Sequence, residues 1–315
     1  MTPKLKRVRT IAAAIESTPG TLESLDAADA AFIVFDPIIQ QKAEMEGRPQ
    51  AGGFGQNAAI PGARLGEVTF SSELHADSTG PLWARTFLAA CGLGLNPTGG
   101  SSTTTGGANY FQLDKLPPEA SGSTQKSISI GVYEDGLLKR LHGCMGNVKF
   151  TFVSGKKVML EFTFTGVWNA PTDATILAPT YPTTSPLRFI SSSFLIGAWA
   201  PKIQQLTLDL GNEVHVREDS TDATGYHCAV IATRLVKGTL NPESETVASK
   251  DVYGDWLAST EAALSFSASA GSDACAFSAS ELQFLNPQEG ERNGVQTDDI
   301  EFQLNADDLK LAFST

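Results

Sequence analysis

Residues 148–164 read VKFTFVSGKKVMLEFTF, with apolar side chains alternating with polar ones on both sides of Ser154-Gly155-Lys156. Alternation with a period of two around a short polar turn is typical of a β-hairpin with one buried face. Residues 300–313, IEFQLNADDLKLAF, repeat the pattern around Asn305-Ala306-Asp307. The sequence therefore predicts two similar hairpins, whose turns differ in length by one residue.

A longer correspondence surrounds these hairpins. Residues 37–41 (PIIQQ) recur as residues 201–205 (PKIQQ), at an offset of 164 (201 − 37). Each copy follows an apolar run and precedes a strand candidate and then a short helical candidate that carries aromatic residues. Such self-similarity indicates an internal duplication. The strand candidates are residues 64–74 and 226–236, and the helical candidates are residues 81–91 and 245–259.

Length and composition favour short strands in two tandem units. The chain has 315 residues, of which 29 are Gly and 18% are charged, which suits strands joined by turns. The predicted fold is all-β with short helices, a β-sandwich or β-barrel in two similar tandem copies. The boundaries are residues 1–165 for the first domain, 166–190 for a Pro-rich connector and 191–315 for the second domain.

The formal charge is distributed unevenly between the two halves. Residues 1–165 hold 15 acidic and 15 basic side chains, and the remainder holds 20 and 8, which gives the whole net charge of −12. A protein that binds nucleic acid tightly needs clustered Lys and Arg, so this class is disfavoured. The one basic cluster lies at the N-terminus, and we interpret it either as a solvated tail or as an arm that docks on an acidic neighbour. It comprises Lys4, Lys6, Arg7 and Arg9.

Two long polar loops are predicted, at residues 47–61 and 93–108. Long loops in a compact domain are uncommon unless they bind something, and a partner subunit is the preferred explanation. Residues 53–58 fit a loose GxGxxA pattern, but Pro61-Gly62 prevents the helix that would carry a phosphate site. The loop residues that we expect at a subunit contact are Arg48, Phe54, Gln56 and Asn57.

No catalytic or cofactor motif stands out, so the sequence predicts a protein that is not an enzyme and has no cofactor. The four cysteines form no CxxC pair, and neither His142-x-Cys144 nor His227-Cys228 makes a convincing zinc motif, so no metal is expected. Glu218, Asp219 and Asp222 miss the spacing of an EF-hand and predict a solvated turn. No membrane span or secretory signal is seen, and synthesis in a cytoplasm is expected.

Several short motifs resemble the tail tube (major tail) proteins of long-tailed, siphovirus-type bacteriophages. The first is Glu16-Ser17-Thr18-Pro19-Gly20-Thr21, and PGARLGEVTF at residues 61–70 follows it. Pro81-Leu82-Trp83 then leads to residues 88–92 (LAACG). Further similarities lie at residues 141–146 (LHGCMG) and 234–245 (RLVKGTLNPESE), so the resemblance extends over most of the chain.

The resemblance implies a structural virion protein of the phage tail, assembled in the host cytoplasm. Its units would form rings that stack into a tube, with one sheet lining the lumen and the N-terminal arm contacting the next ring. Because the chain would carry two copies of the tube domain, three chains would form a ring that otherwise needs six chains. A ring of six chains stays the alternative. Implied partners are further copies of the chain, a tape measure protein, terminator and distal tail proteins, and double-stranded DNA that passes without specific binding. The hairpin residues assigned to the lumen sheet are Lys149, Glu161, Glu301, Gln303 and Lys310.

Other classes remain open from the sequence. A different β-sandwich virion protein, a decoration protein or a secretion-system tube protein would share this composition. A β-sandwich hydrolase is a further alternative, and a pocket with convergent carboxylates or a metal would support it.

Overall fold

A computed structural model describes residues 8–76, 82–96 and 110–314 of the chain. Short helical segments lie at Ala28–Ala30 (3₁₀), Ala84–Leu88 (π) and Val252–Leu257 (α1). The strands are β1 Arg9–Ile15, β2 Val34–Pro49, β3 Gln56–Glu73, β4 Leu93–Asn96, β5 Tyr110–Leu113, β6 Ile128–Glu134, β7 Leu137–Val153, β8 Met159–Asp173, β9 Leu195–Ile196, β10 Ile203–Asp209, β11 Asn212–Glu218, β12 Tyr226–Arg234, β13 Lys237–Pro242, β14 Glu261–Ala270, β15 Asp273–Arg292, β16 Val295–Leu304 and β17 Lys310–Ser314.

Within the described residues, fifteen strands form one antiparallel sheet, and β11 and β12 form a separate pair. The main path runs β2-β3-β8-β7-β10-β13-β16-β15-β17-β5-β4. The long strands β7 and β15 each pair with different neighbours along their length, so the sheet can change direction and fold over its own core. The predicted all-β fold class with few short helices is confirmed.

The hydrophobic core joins the two halves of the chain. Phe150 and Phe152 on β7 pack edge to face against Phe277 on β15, with ring centroids 5.5 and 5.2 Å apart. Phe152 also contacts Phe266 on β14, at 5.0 Å. Buried side chains from both halves therefore form one large cluster that the two predicted tandem units share. The reason is that the apolar face of β7 packs on strands of the second half.

The first predicted hairpin is confirmed as β7 and β8, which pair from Thr151 opposite Met159 down to Leu137 opposite Asp173. The second predicted hairpin, residues 300–313, is wrong. Both β16 and β17 pair with one edge of β15, one after the other, so the chain continues along this edge without turning back. Its alternation is real, but alternation does not specify which strand is the partner.

The hairpin that corresponds to β7–β8 is instead β15–β16, and the correspondence extends to six strands. In chain order β1, β2, β3, β6, β7 and β8 of the first half match β9, β10, β13, β14, β15 and β16 of the second. All five antiparallel pairings recur: β1–β6 as β9–β14, β2–β3 as β10–β13, β3–β8 as β13–β16, β6–β7 as β14–β15 and β7–β8 as β15–β16. A further pairing, β10 with β7, joins the halves.

Several predicted boundaries differ from the structure. Strand β8 runs through Pro171 to Asp173, so the irregular connector begins after the predicted position of residue 166. The predicted loop 47–61 is largely the end of the β2–β3 hairpin, whose turn spans only residues 50–55. The helical candidate at 245–259 shortens to α1. In the predicted loop 93–108, residues 93–96 form β4, and residues 97–108 lie outside the described residues.

Candidate assembly surface

Polar residues on neighbouring strands form a continuous line across the sheet. In β8, β7 and β10, Glu161, Lys149 and Asp209 lie opposite one another in turn. Asp209 in turn lies opposite Lys237 on β13, and Lys237 lies opposite Gln303 on β16. We call these five residues the charged row. Because charges of opposite sign face each other across each strand pair from Glu161 to Lys237, they stabilise the pairing modestly.

The structure brings together three of the five residues assigned to the lumen sheet, namely Lys149, Glu161 and Gln303. Glu301 lies two residues from Gln303 on β16 and therefore on the same face. Lys310 does not belong to this surface. It lies on β17 opposite Ser278 and Gln112, with its ammonium group 5.9 Å from the centre of the Tyr110 ring.

Sequence reasoning missed Asp209 and Lys237, which complete the charged row. The available signal was the alternation in residues 203–209 (IQQLTLD), where Leu206 and Leu208 are buried. The same alternation places Asp209 on the opposite, polar face. Asn147 on β7 donates a 2.7 Å hydrogen bond to the Asp209 carboxylate.

The end of the β2–β3 hairpin forms an arm, which we define as residues 45–62. All of its side chains are exposed, including the large apolar ones Met45, Phe54 and Ile60. Arg48 lies opposite Asn57, and Pro49 lies opposite Gln56. The four predicted loop contacts, Arg48, Phe54, Gln56 and Asn57, are thus all brought to this end of the hairpin. Exposed apolar side chains that cluster on one element are typical of an interaction surface.

In the second half, β11–β12 lies between β10 and β13 in the chain, as residues 45–62 lie between the paired parts of β2 and β3, and it packs closely on the first half. Asn212 at the start of β11 donates hydrogen bonds to the carbonyl groups of Cys91 and Gly146, at 2.7 and 2.9 Å. Arg234 at the end of β12 donates to Asn212 Oδ1 and, through Nη2, to the carbonyl oxygen of Asp114, each at 3.0 Å. One hairpin arm therefore has a docking partner within the chain, and residues 45–62 remain exposed.

The N-terminal candidates divide into two groups. Lys4, Lys6 and Arg7 lie outside the described residues. Arg9 belongs to β1, where its guanidinium group is 2.8 Å from the Glu134 carboxylate and donates a 2.9 Å hydrogen bond to the Pro37 carbonyl. Arg9 is engaged within the subunit, because strand pairing of β1 with β6 brings it to Glu134. Its predicted contact with a neighbouring ring stays a prediction.

A buried carboxylate explains the first family-like motif. Glu16 is 5% exposed and accepts hydrogen bonds from Gly20 N, Ser127 Oγ, Ser129 Oγ and Gly143 N, at 2.6 to 2.9 Å. Gly20 has a φ of 82°, a conformation that glycine adopts without strain. The motif thus ties the segment after β1 to β6 and β7, and its role is structural.

In the acidic turn at residues 218–222, two carboxylates accept hydrogen bonds from residues close in sequence. Asp219 accepts hydrogen bonds from the backbone and hydroxyl groups of Thr221, and Asp222 does the same with Thr224. These side-chain and backbone hydrogen bonds lower the pKa of both carboxyl groups. Glu218 is exposed on β11. The arrangement agrees with the predicted solvated turn.

The chain matches the family of phage tail tube proteins over residues 7–304. It belongs to this family. Tail tube proteins are structural and not catalytic, so the predictions of a tail tube protein and of a protein that is not an enzyme are confirmed. Membership also places this tail tube protein in the virion tail and indicates self-association during tail assembly. No curated protein matches the chain. In the described ranges, no helix has the length and apolar character needed to cross a membrane.

Proposed function

We propose that three copies of this tail tube protein close a ring with pseudo-sixfold symmetry, and that stacked rings form the tube of a siphovirus-type tail through which DNA is delivered. The observation that carries the proposal is the recurrence of all five strand pairings in both halves of the chain. Two units with the same strand order can occupy two equivalent positions in a ring.

The pairing of β10 with β7 supplies a template for the contact between chains. There the second strand of one unit joins the free edge of the preceding unit, with Leu208 opposite Phe150. The equivalent edges at the two ends are the outer edge of β2 and, beyond Gln283, the edge of β15 that faces away from β16. Neither edge has a strand partner within the described residues. Unpaired edges promote association, and pairing β15 with β2 of the next chain would satisfy both.

The same template gives the exposed arm a docking site. Within the chain, β11–β12 lies on the unit that precedes it, so residues 45–62 would lie on the second half of the neighbouring chain. This placement would bury Phe54, Met45 and Ile60, which are exposed in the single subunit. Burial of such apolar side chains favours association by about 1.5–3 kcal/mol for each one that is fully covered.

The polar face of the sheet suits a wall along which DNA passes. The charged row has two carboxylates, Glu161 and Asp209, and two ammonium groups, Lys149 and Lys237, so its formal charge is zero (2 − 2). Tight binding to DNA requires clustered positive charge that releases counterions from phosphates. A face with alternating charges does not release counterions in this way, so it does not favour tight binding of DNA. The tape measure, terminator and distal tail proteins would be the further partners of such a tube.

Reconstruction of assembled rings by electron microscopy tests the stoichiometry directly. We expect three chains and six similar sheet segments around the axis; six chains in one ring would contradict the pseudo-sixfold arrangement and leave family membership intact.

Pairs of introduced cysteines, one on β2 and one on β15, test the predicted edge contact. Under oxidation, at least one pair should link neighbouring chains in rings, whereas pairing of the same β2 positions with Asp273 at the start of β15 should not. The pairs combine Ile38, Gln40 or Lys42 with Gln288, Gly290 or Arg292.

A further inference from the structure

Three potential metal ligands converge where the second half packs on the first. His227 Nε2 lies 3.1 Å from Glu119 Oε1, and Cys228 Sγ lies 3.5 Å from the same oxygen. The three donor atoms all lie within 4.8 Å of one another. Ligands held tetrahedrally at zinc distances of about 2.0–2.3 Å would be about 3.3 Å (N to O) and about 3.5 Å (S to O) apart. The two separations from Glu119 Oε1 already approach those of a zinc site.

The backbone around the two β12 ligands packs closely against two glycines of the first half. A Cβ atom on Gly20 would lie 2.8 Å from the His227 carbonyl oxygen and 3.0 Å from its ring. A Cβ atom on Gly143 would lie 2.9 Å from Cys228 Cα. These close approaches restrict the backbone at His227 and Cys228, and a site whose ligands lie on a restricted backbone is better organised to bind an ion.

The third ligand comes from a loop that is itself fixed. Glu119 lies between β5 and β6, in a segment where Asp114 accepts hydrogen bonds from Thr124 N and Thr124 Oγ1, at 2.6 and 2.8 Å. Ser123 Oγ donates to the Leu116 carbonyl at 2.9 Å. The loop therefore presents Glu119 to β12 as part of an ordered turn.

Arg217 on β11 orients the carboxylate and leaves one of its oxygens available. Its Nη1 donates a 2.6 Å hydrogen bond to Glu119 Oε2, whereas Oε1 points to His227 and Cys228. Outer groups that hydrogen-bond a ligating carboxylate in this way are a common feature of metal sites. The guanidinium group also lowers the pKa of Glu119, through its hydrogen bond first, so the carboxylate is ionised at neutral pH.

We propose that Glu119 Oε1, His227 Nε2 and Cys228 Sγ bind one Zn²⁺ ion, with the fourth position open to water. A set of one thiolate, one imidazole and one carboxylate suits zinc better than calcium or magnesium, which prefer oxygen ligands. The ion would clamp β11–β12 of the second half to the loop of the first. The site does not depend on ring closure, because all three ligands belong to one chain.

Zinc binding must release a proton from Cys228. Burial raises the pKa of this thiol to about 12, so it is protonated at neutral pH. On binding, the S–H bond breaks, the Sγ–Zn bond forms, and the proton passes to solvent.

Titration of the purified full-length protein with Zn²⁺ after chelator treatment tests the site, with a competing fluorescent chelator as the readout. One equivalent should bind, and Co²⁺ in place of zinc should show thiolate-to-metal charge-transfer absorption. Glu119→Gln and His227→Asn, at side chains that are more than a third exposed, should each weaken binding at least tenfold without unfolding the protein. His215→Asn, at an exposed histidine on β11, is the matched control and should bind like the parent chain.

The absence of one bound equivalent in the parent chain would overturn the proposal. Equal affinity in the parent, Glu119→Gln and His227→Asn proteins would overturn it too. Because both substituted side chains are partly exposed, neither result depends on Cys228→Ser, which changes a buried residue.

Discussion

Leu208 lies directly opposite Phe150 in adjacent antiparallel strands, so main-chain pairing joins the second half of this tail tube protein to the first. Both side chains are fully buried in the shared core. On the polar face one residue further along, Lys149 lies opposite Asp209. The junction therefore combines backbone pairing, apolar burial and opposite charge, and each of these can be varied separately.

Reversing the charge of Lys149 should weaken the junction. Lys149→Glu places a third carboxylate between Glu161 and Asp209, and we expect a loss of about 1 kcal/mol in the free energy of unfolding, measured in urea. Glu161→Lys in the same chain, at an exposed residue opposite position 149, should restore part of this loss because it again pairs opposite charges. Lys156→Glu, in the exposed turn after β7, is the control and should leave the stability within about 0.5 kcal/mol of the parent. Equal effects of the two reversals would count against the charged row.

Removing the charge of Glu16 should destabilise the subunit strongly. In Glu16→Gln an amide NH₂ group would face donors that now bond to a carboxylate, and we expect a loss of about 2–4 kcal/mol. Glu23→Gln is the matched control. Glu23 also accepts hydrogen bonds, from Ser17 N and Oγ, but at an exposed site where water can replace them. A loss under 1 kcal/mol for Glu16→Gln would show that the buried network matters little.

Substitutions at Phe152 and Phe54 should distinguish an effect on folding of the subunit from an effect on assembly of the tube. Phe152→Ala removes a buried ring that contacts Phe266 and Phe277, and should cost about 3–5 kcal/mol of unfolding free energy. Phe54→Ala alters a fully exposed side chain of the arm, so the stability of the subunit should not change. The same variant should form rings or tubes less readily in electron micrographs. Normal assembly of Phe54→Ala would exclude this side chain from the interface.

The stability of the subunit should fall in mild acid through His142. Burial lowers the pKa of His142 in the folded protein, and the positive charge of His227 adds a small further lowering. The carboxylates of Glu16 and Asp222 raise the pKa by less than burial lowers it. Below about pH 6.5 the unfolded chain binds a proton that the folded protein resists, so stability decreases as the pH falls through this range. His142→Gln should flatten the curve of unfolding free energy against pH between about 6.5 and 5. An unchanged slope in the variant would assign the acid sensitivity to other groups.

Deleting residues 1–7 should affect tube formation more than folding. The deletion removes Lys4, Lys6 and Arg7 but retains Arg9 and its contacts with Glu134 and Pro37. We therefore expect an unchanged urea midpoint and weaker stacking of rings, measured by the length of tubes. Arg9→Ala should show the converse pattern, with a lower midpoint. Tubes of normal length after the deletion would contradict an inter-ring role for these residues.

The sequence by itself determined the local structure of this protein and much of its identity. Alternating apolar residues specified which side of β7 and β8 is buried, because side chains in a strand point to opposite faces in turn. The same alternation placed Lys149 and Glu161 on the polar face before any partner strand was known. Short motifs such as residues 16–21 and 61–70 were sufficient to indicate the tail tube family.

Only the tertiary structure decided which strands pair and which distant groups meet. Residues 300–313 alternate like a hairpin, but β16 and β17 both pair with β15. Alternation of apolar and polar residues shows which face of a strand is buried, but it does not specify the strand with which it forms hydrogen bonds. Glu119 meets His227 across 108 positions of sequence, and Glu16 meets Gly143 across 127. Such contacts depend on how the sheet folds over its core, which is a property of the whole chain.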